Sequence, residues 1–333
     1  MRLRSTILAA SLLFPALATT LFAQQQPARV PLAFVSNEGS RDISVINTAT
    51  NRVIARIPVG VRPRGIQASP DGRRVYVALS DEHPNATSRG DAIAVIDVAT
   101  RRVIARYDAG SDPEQFAVTP DGTRLFASNE DAGTASATDL RTGRVLATHV
   151  VGIEPEGVAI SPDGRWVYVT AETSNTVSVI DARANRVVIN ILADLRPRAT
   201  AFSPDGTRAY VTNEVSGSLM VIDTRTHQPL RSITIERGEG KPVGVVVSPD
   251  GRRIYVANGA ASAVTVLDAR TLRQVARIPV GRRPWGIAIT RDGRFLYTAC
   301  GLSNEVDVIN TGTNAVVARI PVGTRPWGVA IAR

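Results

Sequence analysis

The sequence predicts an all-β fold: a seven-bladed β-propeller of four-stranded antiparallel blades, its ring closed by pairing of the N- and C-terminal strands in one blade. Three observations predict it. A unit of four short β-rich runs recurs along the chain, its parts count to seven, and each end of the chain lacks what the other supplies.

The unit is clearest from Pro155 to Ile191. Val158 to Ile160 is a first apolar run, and Ser161-Pro162-Asp163-Gly164 follows with the chemistry of a tight turn, Pro presetting φ and Gly accepting φ > 0. Trp166 to Thr170 is the second run. A polar loop from Glu172 to Asn175 leads to an alternating third run through Val177 and Val179. A turn from Asp181 to Asn185 then leads to a fourth, Val187 to Ile191. β-branched runs bounded by Gly, Pro, Asp and Asn describe a four-stranded meander.

The Asp of the Asp-Gly turn recurs at Asp71, Asp121, Asp163, Asp205, Asp250 and Asp292, spaced by 50, 42, 42, 45 and 42 residues. The turn between third and fourth runs recurs seven times, at Asn47, Asp97, Asp139, Asp181, Asp223, Asp268 and Asn310. First runs follow seven prolines: Pro63, Pro113, Pro155, Pro197, Pro242, Pro284 and Pro326. Leu32 to Val35 opens the repeats at a second run, and Trp327 to Ile331 ends them after a first run. Joining the two completes a seventh blade and leaves no open edge, whereas an open solenoid would need polar capping repeats.

Composition agrees. Apolar residues make up 44% of the 333 and aromatics 5%, which suits a sheet core of Val, Ile and Ala. The single cysteine, Cys300, permits no internal disulfide and reads as a small buried strand residue. Residues 1–23 read as a signal peptide, with Arg2 and Arg4 before the mostly apolar Ile7 to Phe22 and small residues before Gln24; a cut after Ala18 and retention as an anchor are the alternatives. Residues 24–31 then form a short N-terminal segment and 32–333 one propeller domain, expected to be a periplasmic monomer, with secretion as the alternative. The formal charge of +9 comes from scattered arginines that form no block, so binding of anions or nucleic acid by the basic surface is only a second alternative.

In each blade the loop before the first strand and the loop after the second share a face, and the two regular turns share the other. The turns are nearly uniform, so they are scaffold. Both length insertions, within Ser80 to Asp91 and within Glu236 to Val243, fall on the variable face, where binding residues usually reside. The residues beside each leading proline differ most: Arg62 and Arg64, Asp112 and Glu114, Glu154 and Glu156, Arg196 and Arg198, Lys241, Arg283 and Trp285, Arg325 and Trp327. They are expected to line the mouth of the central channel and to bind a small anionic or zwitterionic ligand, with Arg gripping carboxylates and Trp supplying an apolar wall. The opposing reading is that the arginines and carboxylates pair with one another and rigidify the mouth. Glu130, Glu172 and Glu214, together with Asn37-Glu38 and Asn304-Glu305, follow second strands and join that face. No metal is expected, because no ligand geometry is fixed and the nearby arginines oppose a cation.

Catalytic motifs are scarce. There is no Gly-x-Ser-x-Gly elbow, metal-spaced His pair, P-loop or Cys-x-x-Cys-His. His83, in the long loop, is a secondary candidate, while His149 and His227 read as ordinary surface histidines.

Units such as Arg208-Ala209-Tyr210-Val211-Thr212-Asn213 and Arg253-Ile254-Tyr255-Val256-Ala257-Asn258, with Ile-Pro-Val-Gly at Ile57, Ile278 and Ile320, resemble the Tyr-Val-Thr-Asn family of propeller repeats from about Leu32 to Ile331. Asp112-Pro113-Glu114-Gln115-Phe116, Glu154-Pro155-Glu156-Gly157, Arg196-Pro197-Arg198-Ala199 and Arg325-Pro326-Trp327-Gly328-Val329 are similar to propellers found alongside pyrroloquinoline quinone (PQQ)-dependent alcohol catabolism. That resemblance implies an exported, non-catalytic module without a cofactor, its partner a periplasmic protein such as a quinoprotein dehydrogenase or a transporter component. It does not imply a PQQ enzyme, since three Trp and one Cys depart from the larger, Trp-rich blades and vicinal disulfide of those dehydrogenases. A lactonase-type hydrolase using the mouth carboxylates is the enzymatic alternative.

Overall fold

The computed structural model describes residues 30–81, 90–235 and 240–332. The leader and His83 lie outside the described residues.

Seven four-stranded antiparallel sheets form the ring. Blade 1 runs from the channel outward as Pro63–Ala68, Arg74–Leu79, Ala92–Asp97 and Arg102–Tyr107. Blade 2 is Pro113–Val118, Arg124–Asn129, Thr134–Asp139 and Arg144–Val150; blade 3 is Pro155–Ile160, Trp166–Ala171, Thr176–Asp181 and Arg186–Leu192. Blade 4 is Pro197–Phe202, Arg208–Asn213, Ser218–Asp223 and Gln228–Thr234; blade 5 is Pro242–Val247, Arg253–Asn258, Ala263–Asp268 and Gln274–Pro279. Blade 6 is Pro284–Ile289, Phe295–Cys300, Glu305–Asn310 and Ala315–Pro321. Blade 7 takes its innermost strand, Pro326–Ala332, from the C-terminal end and its other three, Leu32–Asn37, Asp42–Asn47 and Arg52–Pro58, from the N-terminal end. The expected closure is present: Phe34 pairs with Ala330 and Val35 with Val329 in antiparallel register.

Middle strands are covered on both faces by neighbouring blades, so they read as near-continuous apolar runs; in Trp166–Ala171 every residue after the first is buried. Outer strands alternate between exposed and half-buried residues. The core is therefore a set of inter-blade clusters, such as Tyr168, Val177 and Val179 of blade 3 against Ala209, Val211 and Met220 of blade 4. Hydrophobic burial between blades holds the ring together.

The Asp-Gly turns are joints. Asp163 Oδ1 accepts from Ser161 Oγ at 2.6 Å and from Arg165 N at 3.0 Å, which holds the Asp163 carboxyl below its ordinary range. Gly164 has φ +71°, and a Cβ there would sit 3.2 Å from Pro120 of the preceding blade's turn. Cys300 is fully buried, as expected, and burial pushes its thiol up.

Histidines correct the sequence reading. His149 is buried, with Nε2 3.2 Å from Asn185 Oδ1. His227 is half-buried, its Nδ1 hydrogen-bonded with the Tyr168 hydroxyl at 2.8 Å while its ring meets Trp166 edge-on. Both lock strands to turns and neither reaches the mouth.

Candidate functional site at the channel mouth

Each blade builds the mouth with the same backbone device. The residue before the leading proline is left-handed in all seven blades, with φ from +39° at Arg62 to +61° at Arg196. Its carbonyl accepts from the amide that follows the second strand, as in Glu130 N to Asp112 O at 3.1 Å and Glu172 N to Glu154 O at 2.9 Å. Immediately after the proline the register shifts, between Pro155 and Val158 in blade 3 and at the equivalent place in the others. A bulge re-aims the side chain it carries. Here it turns the post-proline residue toward the mouth, so Arg64, Glu114, Glu156, Arg198, Val243, Trp285 and Trp327 form an inner ring.

Neighbouring blades clamp that ring. Ser36 Oγ donates to Arg64 O at 2.6 Å, Ser128 Oγ to Glu156 O at 2.7 Å and Thr170 Oγ1 to Arg198 O at 2.8 Å, each from the second strand of the preceding blade. Gly157 is required by this approach, because a Cβ there would collide with Arg198 O.

The side chains assemble into two ion clusters. In the first, Arg64 binds Glu114, lies 3.3 Å from Glu38 Oε1 through Nε, and approaches Glu130 Oε2 to 3.7 Å. Arg62 braces it, 3.5 Å from Asp112 Oδ1 and 3.8 Å from Glu38 Oε1. In the second, Arg198 binds Glu172 and lies 3.1 Å from Glu156 Oε2 and 3.0 Å from Glu214 Oε2, while Arg196 Nε is 2.5 Å from Glu172 Oε2 and 3.3 Å from Glu214 Oε2. Arg198 and its three carboxylates are all buried. Opposite stands a tryptophan wall: Trp285 and Trp327 have ring centroids 5.9 Å apart, and the guanidinium carbons of Arg198 and Arg283 lie 4.7 and 4.6 Å from the Trp285 centroid. Among the described residues, Arg283 reaches no carboxylate.

Pairing of arginines with carboxylates across the mouth, the opposing reading of these residues, is what the structure shows. Buried charges demand partners, and each inner-ring arginine lies within reach of three Glu, those of Arg64 from the two neighbouring blades and those of Arg198 from blade 3 and its own blade 4. A cavity of about 290 Å³ opens above, and a deeper channel of about 560 Å³ continues below, with Glu156, Arg198, Trp285 and Trp327 at the waist between them. Glu130, Glu172, Arg196, Arg283 and Arg325 line the cavity; Arg62, Asp112, Glu154 and Glu214 do not. Glu154 is exposed and accepts from the Thr173 hydroxyl instead. Glu38, left out of the expected ligand set, lines the cavity and also meets Arg325 at 3.4 Å. The Asn-Glu pair it shares with Asn129-Glu130 and Asn213-Glu214 was the signal for it.

Glu130 differs from the rest. Its side chain is 31% exposed into the cavity, and its carboxyl is pushed up to about 7, chiefly by burial and next by the Glu156 charge, against the pull of Arg64. Oxygens of Asp112, Glu114 and Glu130 lie within 4.8 Å of one another, with Arg62 and Arg64 as their cationic partners.

The choice-of-anchor I domain model matches residues 24–193, half of the chain. The chain belongs to the choice-of-anchor I domain family. A second model, of the seven-bladed β-propeller lactonases, matches residues 188–315. Similar solved structures include hydrazine synthase from Kuenenia stuttgartiensis (24% identity, 84% of this chain and 92% of that one, TM-score 0.72) and a candidate 6-phosphogluconolactonase from Bacteroides uniformis (22%, 91% and 100%, TM-score 0.77). A second candidate 6-phosphogluconolactonase, from Bacteroides fragilis, is 16% identical over 92% of this chain and 99% of that one, with a TM-score of 0.77. At these identities the likeness shows the fold alone. The comparison with curated proteins found no match.

The lactonase match overturns the expectation of a non-catalytic module accessory to PQQ-dependent alcohol oxidation. It covers Arg196, Arg198, Glu214, Arg283 and Trp285, so the residues first assigned to passive binding lie within a segment similar to hydrolases.

Proposed function

We propose that the mouth is the active site of a hydrolase that opens lactone rings. The observation that carries this reading is Glu130: a cavity-lining carboxyl held at about 7, beside the Arg64 guanidinium. A general base works best when its pKa lies near the operating pH. Support comes also from the lactonase model over residues 188–315.

As a carboxylate, Glu130 takes a proton from a water molecule as that water attacks the lactone carbonyl carbon. The negative charge that develops on the carbonyl oxygen is stabilised by Arg64, fixed in place by Glu114 and Glu38. Collapse of the tetrahedral intermediate breaks the bond to the ring oxygen, and Glu130 returns its proton to that oxygen. The product is an open hydroxy acid. Trp285 and Trp327 give the ring a flat apolar wall, and Arg283 is the guanidinium left to meet the product carboxylate.

The 6-phosphogluconolactonase name borne by two structural neighbours supplies the first substrates to test, sugar δ-lactones, alongside simple γ-lactones. The test is acid release by the purified protein and by Glu130→Gln. A loss of about a hundredfold or more in kcat with an unchanged fold is expected. Absence of lactone hydrolysis, or a rate indifferent to the substitution, would sink the reading.

A further inference from the structure

A cavity of about 800 Å³ opens on the turn face, opposite the mouth, at the seam where blade 7 closes the ring. The proposed reaction does not use it. Its volume lies in the range of small-molecule sites.

Topology makes this cavity. Elsewhere the glycine of each Asp-Gly turn packs on the proline of the preceding blade's turn: a Cβ at Gly122 would lie 3.8 Å from Pro70, one at Gly206 3.6 Å from Pro162, and one at Gly293 3.3 Å from Pro249. Blade 7 takes its first and second strands from opposite ends of the chain, so it has no such turn. The circle of turns is therefore broken between Arg291 of blade 6 and Gly72 of blade 1. Val30, Pro31, Ile289, Phe295, Tyr297 and Ile331 give the gap apolar walls.

The sequence leaves the repeat at the same place. Arg291 stands where the other five turns have proline, and Phe295 stands where four of them have arginine. No glycine of a following turn calls for proline in blade 6, so packing leaves that position free. What fills it is an exposed guanidinium beside an aromatic wall.

Other polar groups around the cavity are engaged. Thr48 Oγ1 donates to Pro31 O at 2.7 Å, and Ser69 Oγ to Asp71 Oδ1 at 2.6 Å. Asp292, the carboxylate among the described lining residues, is turned into its own turn, Oδ1 accepting from Thr290 Oγ1 at 2.6 Å and from Arg294 N at 3.1 Å. Arg291 reaches no carboxylate among the described residues. Apolar walls ending at such a guanidinium complement a carboxylate carried on an apolar body, whose hydrocarbon leaves water while Arg accepts the carboxylate bidentately.

We propose that this cavity binds an aliphatic carboxylate, its chain against Ile289, Phe295 and Ile331 and its carboxylate on Arg291. The site is separate from the mouth and stands independently of the chemistry at Glu130.

Titration calorimetry of the full chain with decanoate and with decanol tests it. Decanoate should bind saturably at one site, about tenfold or more tightly than decanol. Arg291→Pro restores the residue of the other five turns, and Arg291→Gln keeps a polar side chain without the charge. Both variants should keep the wild-type Tm and bind decanoate about tenfold or more weakly, with decanol unchanged. Equal affinity for acid and alcohol, or decanoate binding unchanged in both variants, would overturn the proposal. So would loss of decanoate binding in Arg283→Ala instead, which would place the ligand at the mouth. Absence of saturable binding, the result if the segment before Val30 occupies the cavity, would overturn it as well.

Discussion

Glu130→Gln should stabilise the protein at pH 8 while removing its activity. The charged form of Glu130 is disfavoured in the fold by burial and by Glu156, which raises its carboxyl from 4.5 to about 7. Below pH 4.5 the group is protonated in folded and unfolded chains alike and carries no penalty. As pH rises to about 7 the unfolded chain releases the proton first, so this group lowers stability progressively across that window and by its full amount above it. Complete conversion gives about 3 kcal/mol. Solvent around a side chain that is 31% exposed reduces this to about 1–2 kcal/mol. Gln keeps the shape and hydrogen-bonding capacity without the charge, and Arg64 retains Glu114 and Glu38. Calorimetric melting at pH 8 should therefore show the variant about 2–6 °C above wild type, with the difference vanishing near pH 4.5. A variant less stable than wild type at pH 8, or a gain equal at both pH values, would refute the reasoning.

Two further perturbations probe the frame around the site. Arg198→Met leaves Glu156, Glu172 and Glu214 buried without their shared guanidinium, which should cost about 3–5 kcal/mol in urea unfolding; a loss below about 1 kcal/mol would show that the cluster is not a structural clamp. Deleting residues 325–333 removes the innermost strand of blade 7 and uncovers Phe34 and Val35, both fully buried. Cooperative unfolding should then be lost, and a truncated chain that melts like the full one would contradict closure by that strand.

Most of the frame was legible in the sequence, because turn chemistry is local. Asp163-Gly164 needs Gly for φ +71°, and Asp181 caps its own turn through Arg183 N and Ala184 N, so both signals survive in any context. Closure was legible because an unpaired sheet edge at each end demands the other. The leading prolines mark where each blade's chain turns into the channel. The left-handed residue before each proline was not legible: in six of the seven blades it is Arg, Glu or Lys, which carry no preference for φ > 0, and proline disfavours compact backbone before it. Gly65, Gly157, Gly244, Gly286 and Gly328 were the available sign of the bulges, since each approaches the next blade too closely for a Cβ. Side-chain pairing was the hardest part to read. Arg64 gathers Glu38 from blade 7 and Glu114 and Glu130 from blade 2, positions up to 66 residues from it in sequence. Their proximity follows from ring geometry that no local pattern encodes, and the raised carboxyl of Glu130 follows from that crowding.

The most direct measurement is kcat/KM for lactone opening against pH, in wild type and Glu130→Gln. Wild-type activity should rise with pH through an inflection near 7, where Glu130 becomes the carboxylate that accepts the water proton. The Gln variant should lose that inflection together with at least about a hundredfold of the rate. Hydrolysis that keeps the same inflection and rate in the Gln variant would contradict the assignment of the mouth as a Glu130-dependent lactonase site.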